Sequence, residues 1–139
     1  MSTSTPILTR TVRSAGAIAR ARGVGFDGAQ IAAANAKPMG IALVAATAAG
    51  EDTPVVLNGT AICETGGSFA LGVAVAMDAQ GRVVAATALA VATGATAMTS
   101  AAANGAAAIT GGEPPHFVVG DAMQASTGAG QFIEVLLRR

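Results

Sequence analysis

Short apolar runs alternate with small or polar turn residues along most of the chain, which is the pattern of β-strands joined by turns. The clearest two runs cover residues 73–77 and 82–85, and Asp78-Ala79-Gln80-Gly81 separates them. Asp at the first position and Gly at the last are typical of a type I turn. We therefore predict a β-hairpin here.

A longer pattern occurs twice, at residues 39–57 and 119–137. Aligned without a gap, the two copies are identical at 8 of 19 positions. The identical pairs are Gly40/Gly120, Ala42/Ala122, Ala45/Ala125, Thr47/Thr127, Ala49/Ala129, Gly50/Gly130, Val55/Val135 and Leu57/Leu137. Each copy reads as a strand, a turn of small residues and a second strand. We predict two similar strand pairs that help to close a small barrel.

The remaining elements are predicted from their turn residues. Pro6 favours an extended segment or edge strand at residues 7–13, and the glycines near residues 16–28 argue against a helix there. Residues 30–36 fit either a helical turn or a strand. Asn58-Gly59 is a strong signal for a two-residue hairpin turn. The sum is eight to ten short strands with little helix, which predicts an all-β fold: a small compact β-barrel or sandwich.

For domain organisation we expect an extended N-terminal arm at residues 1–13 and a single β domain at residues 14–139. Within that domain, residues 87–112 form an Ala/Thr/Gly-rich insert without a charged residue. Two local structures fit the insert, a helical turn at residues 98–103 or a strand at residues 88–91. An uncharged insert of this length is expected to pack against another surface.

Composition and charge favour association with other proteins. Apolar residues make up 52% of the chain but aromatics only 3%, so the core is built from small side chains that bury little area each. Residues 1–37 carry +5 − 1 = +4, whereas residues 38–137 carry +1 − 7 = −6. This distribution fits docking between acidic and basic protein surfaces better than nucleic-acid binding. Ordinary solvated charges are the alternative interpretation.

The residues that usually carry chemistry are nearly absent. His116 is the only histidine, and Cys63, the only cysteine, lies among apolar neighbours that predict a buried strand position. No zinc cluster or intrachain disulfide can be formed from these two residues. Residues 23–28 match a dinucleotide-binding glycine pattern by spacing alone, without the strand–helix context that it requires. We expect no enzymatic activity, cofactor, metal, signal peptide or membrane span.

The end of the chain resembles the closing motif of tailed-bacteriophage capsid cement, or head decoration, proteins. Residues 120–137 begin with Gly-x-Ala, pass through small residues to Gly130, and finish on the strand Val135-Leu136-Leu137. Further similarity lies at Gly40-Ile41-Ala42, Ala49-Gly50-Glu51, Asn58-Gly59-Thr60-Ala61, Val75 through Asp78, and Gly81-Arg82-Val83. The resemblance extends from about residue 6 to residue 137, and the long insert at 87–112 departs from it.

This resemblance implies a β-tulip-like structural protein that binds the outer surface of an icosahedral phage head. It implies homotrimers that bridge subunits of the major capsid protein, with synthesis in the host cytoplasm and no direct contact with nucleic acid or membrane. Another oligomeric β surface module, such as a phage fibre or adhesin domain, is the alternative, and a small β-barrel enzyme is a weaker one.

The interface hypothesis concerns the arm and the insert. We expect the arm to contact the capsid or a neighbouring subunit, with Arg10 and Arg13 pairing with acidic groups. The insert at residues 87–112 is expected at the trimer interface or on the capsid. The candidate arm residues are Pro6, Ile7, Leu8, Arg10, Val12 and Arg13.

Overall fold

The computed structural model describes residues 3–87 and 117–138, and within these ranges the protein is built from β-strands without a helix. The strands are β1 (Pro6–Arg13), β2 (Gly23–Val24), β3 (Gly40–Ala42), β4 (Asp52–Glu64), β5 (Ser68–Phe69), β6 (Ala74–Met77), β7 (Val83–Ala85), β8 (Gly120–Ala122), β9 (Ser126–Thr127) and β10 (Phe132–Leu137). Eight of them form one strongly curled half-barrel sheet, and β5 pairs with β9. The prediction of an all-β fold is confirmed.

The order in the large sheet is β2-β3-β4-β10-β8-β6-β7, and β1 pairs with β4 outside this path. β4 is the longest strand, with 13 residues. Its first half pairs with β1 and β3, and its second half pairs with β10. All these pairings are antiparallel. β4 therefore lies between the β2–β3 part of the sheet and the part formed by β10, β8, β6 and β7.

The predicted hairpin at Asn58-Gly59 is wrong, because β4 runs straight through both residues. Gly59 has a φ of 100° and lies where the pairing with β1 shifts register. A Cβ at Gly59 would lie 2.5 Å from the carbonyl oxygen of Thr5, so the glycine permits a close approach of β1. The positive φ therefore accommodates an irregularity in the pairing rather than a reversal of the chain. Partner strands on both sides of the glycine hold β4 extended.

The predicted hairpin at residues 73–85 is confirmed as β6 and β7. Its turn is closed by the Gly81 N–H, which donates to the Asp78 carbonyl at 3.1 Å. The Asp78 carboxylate accepts from the backbone N–H groups of Gln80 and Arg82, each at 2.8 Å. Gly81 has a φ of 74°, the left-handed conformation for which glycine is favoured.

The sequence repeat is also a structural repeat. In the first copy Ala42 pairs with Val55, and in the second copy Ala122 pairs with Val135. Ala122 and Val135 each lie 80 positions after their counterparts in the first copy, so the two strand pairs have the same register. The connecting turns match as well, since Gly50 and its counterpart Gly130 have φ values of 90° and 81°. The prediction of two similar strand pairs is confirmed.

The structural repeat extends beyond the sequence repeat, with a second offset of 51 residues. Val12 pairs with Thr53, and the corresponding pair in the second half is Cys63 with Ile133. Likewise Val24 pairs with Gly40, and Val75 pairs with Gly120. We call residues 6–57 the first lobe and the described residues of 58–137 the second lobe. The two lobes have the same strand topology and share β4.

Polar contacts repeat in the same way. The Ser14 hydroxyl donates to the Ala48 carbonyl and accepts from the Glu51 N–H. In the second lobe, Thr65 makes the equivalent bonds, to the Gly128 carbonyl and from the Gln131 N–H. Buried hydroxyls at these two positions satisfy turn groups that would otherwise lack partners.

The two lobes differ in how their faces are buried. The first-lobe core is a small cluster of Ile18, Val24, Ala42, Ala46 and Val55. A larger cluster contains most of the second-lobe counterparts of these residues, and it also contains Ile31, Ile41 and Val56 of the first lobe. Adjacent β4 residues Val55 and Val56 are both fully buried, one in each cluster. The first-lobe sheet is therefore covered on both faces.

Residues 30–36 form neither a strand nor a helical turn, and only Gln30 makes an isolated bridge, to Val24. Of the insert at 87–112, only Thr87 is among the described residues, and His116 also lies outside them. The two local structures predicted for the insert, at residues 88–91 and 98–103, therefore lie outside the described residues. The division into an arm at 1–13 and a domain at 14–139 stays a prediction. In the described ranges, no helix is available that could cross a membrane.

Candidate capsid-binding surface

β1 presents the most exposed strand surface of the described chain. Seven of its eight residues are exposed and only Val12 is partly buried. Two exposed residues are large and apolar: Ile7 is 77% exposed and Leu8 is 53% exposed. β1 pairs with β4 in regular register from Thr9 to Arg13, and the pairing shifts register on both sides of Leu8, so the two apolar side chains lie at the irregular end of an otherwise paired strand.

The predicted interface residues are not all placed in the same way. Pro6 and Ile7 lie at the irregular end of β1, next to Gly59. Arg13 is exposed, and its guanidinium lies near Gly50. Val12 packs against the first-lobe core.

The other two candidates, Leu8 and Arg10, line an open groove with a volume of about 330 Å³. The remaining lining residues are Phe26, Met39, Leu57 and Asn58. The Phe26 side chain is 66% exposed at the rim, and the Lys37 ammonium lies 5.9 Å from the centroid of its ring. The same ammonium lies 5.0 Å from the ring of Phe117. The groove therefore combines an apolar lining with two cationic side chains.

A second apolar surface lies on the outward side of the second lobe. Along β10, Ile133, Val135 and Leu137 are buried, whereas Phe132 and Leu136 are 51% and 45% exposed. We call this surface the open face: it consists of Phe132, Glu134 and Leu136 on β10, with Ile62 opposite Glu134 on β4 and Met123 beyond the end of β8. Met123 is 46% exposed. Exposed apolar side chains grouped in this way are typical of interaction surfaces.

Within residues 3–87 and 117–138, three ion pairs join charged side chains. Arg22 binds Glu64 through two bonds, Nε to Oε2 at 2.8 Å and the second guanidinium nitrogen to Oε1 at 3.0 Å. This pair connects the lobes. Arg138 binds Asp121 in the same two-bonded manner at 2.5 and 2.6 Å, beside the open face. Arg82 binds Asp78 at 2.8 Å within the β6–β7 hairpin.

The surroundings of Cys63 and Glu51 shift the pKa values of these two groups in opposite directions. Burial raises the pKa of the Cys63 thiol far above its ordinary value, as expected for a buried strand cysteine. Hydrogen bonds from the Thr47 hydroxyl and the Thr47 N–H lower the pKa of Glu51, which lies in the first-lobe turn. Among the described residues, no three His, Cys, Asp or Glu side chains are grouped so that they could hold a metal ion.

A family model described as phage cement protein matches residues 1–112. The chain belongs to the phage cement protein family. The match covers the arm, the first lobe, β4 to β7 and the insert, and it ends before the 120–137 motif that resembles the family's closing strand pair. No curated protein matches the sequence.

Membership assigns this cement protein to the phage capsid as a structural decoration protein. The predicted family and the predicted class of function are confirmed, and no observation favours a fibre or adhesin module.

Sequence patterns alone did not select the open face or Phe26 as interaction surface. One signal was available for the open face: β10 has apolar residues on both of its sides, as strands covered on both faces do. No local signal was available for Phe26, because its exposure depends on the packing of residues distant in sequence.

Proposed function

We propose that this cement protein binds the outer surface of the phage head, contacts the major capsid protein through β1 and its preceding residues, and acts as a homotrimer. It stabilises contacts between capsid subunits and catalyses no reaction. The observation that carries this proposal is β1, an exposed strand with apolar and cationic side chains in a member of the cement family.

Ile7 and Leu8 together place two large apolar side chains in water at the end of β1. Covering such side chains stabilises a complex by about 25 cal/mol for each Å² of apolar area removed from water. Because β1 is already ordered on β4, a partner that covers it loses little conformational entropy.

Charge supports an acidic partner. Arg10 and Arg13 are exposed on β1, and Arg20 follows in the next loop. Pairing with carboxylates of a capsid subunit adds specificity and speeds the encounter between the partners.

The test is binding of single variants to heads that lack the cement protein. Ile7→Asp places a charge in the proposed contact, and Val44→Asp is the matched control because Val44 is 55% exposed on a loop outside β1. We expect Ile7→Asp to weaken binding at least tenfold and Val44→Asp to bind as the wild type does. Equal binding by both variants would overturn the role of β1.

A deletion tests the arm as a whole. Removing residues 2–12 is expected to abolish binding to heads, with the β-sheet circular dichroism of the rest of the chain retained. Cryo-EM of decorated heads gives the side of the shell and the number of copies at each site. Density inside the shell, or single isolated copies, would contradict the proposed location or the homotrimer.

A further inference from the structure

The second lobe covers part of the first lobe, and the repeat allows the equivalent site to be located on the second lobe. Met77, on the β6 end of the hairpin, is fully buried against the first lobe. A Cβ placed on Gly23 would lie 2.7 Å from the Met77 sulfur, so Met77 lies directly over β2. The Asn35 N–H donates to the Met77 carbonyl at 2.8 Å, which fixes this contact.

The outward residues beneath this hairpin have counterparts on the open face. Val56 is fully buried, and its counterpart 80 residues later, Leu136, is 45% exposed. Leu43 packs against the larger core, and its counterpart Met123 is 46% exposed. The open face is therefore the same sheet surface that the first lobe buries under Met77.

The covering residue also has an exposed counterpart. Phe26 lies 51 residues before Met77, at the same point of its lobe, and is 66% exposed. The neighbouring turns correspond: Asp27 accepts from the Ala29 N–H at 3.0 Å, as Asp78 accepts from the Gln80 N–H at 2.8 Å. One chain thus presents both halves of a similar contact as exposed surface, Phe26 on one lobe and the open face on the other.

We infer that the open face of one copy binds the Phe26 side of the first lobe of a second copy, head to tail, repeating between chains the contact that joins the two lobes within a chain. Charge favours this orientation. Glu134 lies in the open face between Phe132 and Leu136, whereas Arg10 lines the same groove as Phe26 and the Lys37 ammonium lies 5.9 Å from the Phe26 ring. The inference deepens the proposed function by naming the surfaces of its self-association, and it rests on that self-association rather than on capsid binding.

A head-to-tail contact joins two different surfaces, so it generates a closed ring or an open chain rather than a two-fold dimer. This distinguishes it from a symmetric pairing of two open faces or of two β1 strands. The distinction can be measured with cysteines, because the native Cys63 is fully buried. The wild type therefore serves as an unreactive control for thiol cross-linking.

The experiment uses Phe26→Cys, Leu136→Cys and the double variant, treated with a short bismaleimide both free in solution and bound to heads. We expect the double variant to give a ladder of linked copies in at least one of the two states. A mixture of the two single variants should give dimers only, and each single variant alone should give none. Dimers from either single variant alone, or no linkage of the double variant in either state, would overturn the inference.

Head binding is scored separately in the same samples. Full binding of the double variant without linkage would contradict the head-to-tail contact and would remain consistent with the capsid-binding role. Linkage in solution without head binding would support the head-to-tail contact and contradict the capsid-binding role. Leu71→Cys paired with Phe26→Cys is a matched control, since Leu71 is 67% exposed in a second-lobe loop outside the open face, and it should not be linked.

Discussion

Phe26 and Met77 occupy equivalent positions 51 residues apart in the two lobes, yet Phe26 is 66% exposed and Met77 is fully buried. The difference arises from order along the chain, because Met77 packs on the other lobe, whereas among the described residues Phe26 packs on no equivalent sheet surface. A duplicated fold of this kind leaves one covering side chain and one uncovered face at its two ends. For a protein that assembles on a shell, these ends are natural places for contacts between copies.

The first prediction concerns Gly40 and Gly120, because both permit a close approach of backbones in equivalent strand pairs. A Cβ at Gly40 would collide with the Val56 carbonyl oxygen, and one at Gly120 with the Leu136 carbonyl oxygen. We expect Gly40→Ala and Gly120→Ala each to lower the free energy of unfolding by about 1–3 kcal/mol, the usual cost of overpacking. Urea unfolding monitored by circular dichroism measures this loss.

Gly67→Ala is the control for both substitutions, because nothing lies within 4 Å of the added Cβ and its φ is not in the left-handed region. Its effect should stay within about 0.5 kcal/mol. A comparable loss at Gly67 would show that glycine content, rather than close approach, determines the result.

The second prediction concerns the ion pair between the lobes. Arg22 and Glu64 are bonded twice, and their side chains are only 23% and 15% exposed. A double-mutant cycle with Arg22→Met and Glu64→Gln should give a coupling energy of about 1–2 kcal/mol, as for charged hydrogen bonds shielded from water.

The Arg138–Asp121 pair has the same geometry but exposes 60% of the arginine side chain. Its coupling should therefore stay below about 1 kcal/mol, because water screens it. Equal coupling energies for the two pairs would contradict the prediction that burial strengthens the Arg22–Glu64 pair.

The sequence was sufficient for the strand class and for the 80-residue repeat, because that repeat retains identical small residues at the close approaches and turns. The 51-residue repeat was not detectable in the same way. Between residues 6–30 and 57–81, only 5 of 25 aligned positions are identical. Hydrogen-bonding equivalents such as Ser14 and Thr65 replace identical residues, so the relationship becomes visible only through backbone pairing.

The error at Asn58-Gly59 has a related cause. A local signal for a turn depends on the positive φ that glycine allows, and Gly59 does have a φ of 100°. What decides between a turn and a bulge is whether partner strands continue on both sides. Those partners, β1 and β10, come from distant parts of the sequence. The uncovered state of Phe26 is set in the same way by long-range packing.

Gly59 gives the third prediction. Alanine at this position would need an unfavourable positive φ and would press on the Thr5 carbonyl oxygen and the Ile7 nitrogen, at 2.5 and 2.6 Å. We expect Gly59→Ala to cost about 1–3 kcal/mol of strain, which detachment of the first residues of β1 would relieve.

Hydrogen exchange measures this local effect. The Thr60 N–H, which donates to the Thr5 carbonyl, should exchange faster in Gly59→Ala. The β1 amides near Arg13, at the regular end of the pairing, should keep their protection. Uniformly faster exchange along β1 would contradict a local detachment.

The last prediction uses a difference in chemistry between the equivalent turns. Glu51 accepts from the Thr47 hydroxyl at 2.6 Å and from the Thr47 N–H at 2.9 Å, and these bonds lower its pKa in the folded state. A carboxylate whose folded pKa is depressed stabilises the fold above its unfolded pKa, and this contribution is lost as pH falls through the folded value. The second lobe has Gln131 there, bonded to Thr127 but unable to titrate in this range.

We therefore expect Thr47→Ala to raise the pKa of Glu51 in an NMR titration, because its larger cause, the hydroxyl bond, is removed. Glu51→Gln should retain the turn, since the amide can make the bonds seen at Gln131, and should reduce the acid-side loss of stability. Thr127→Ala is the matched control: it removes the equivalent hydroxyl where the partner is neutral, so the pH dependence of unfolding should remain that of the wild type. A change in that pH dependence with Thr127→Ala, or an unmoved Glu51 titration with Thr47→Ala, would contradict the assignment of the acid-sensitive contact to the first-lobe turn.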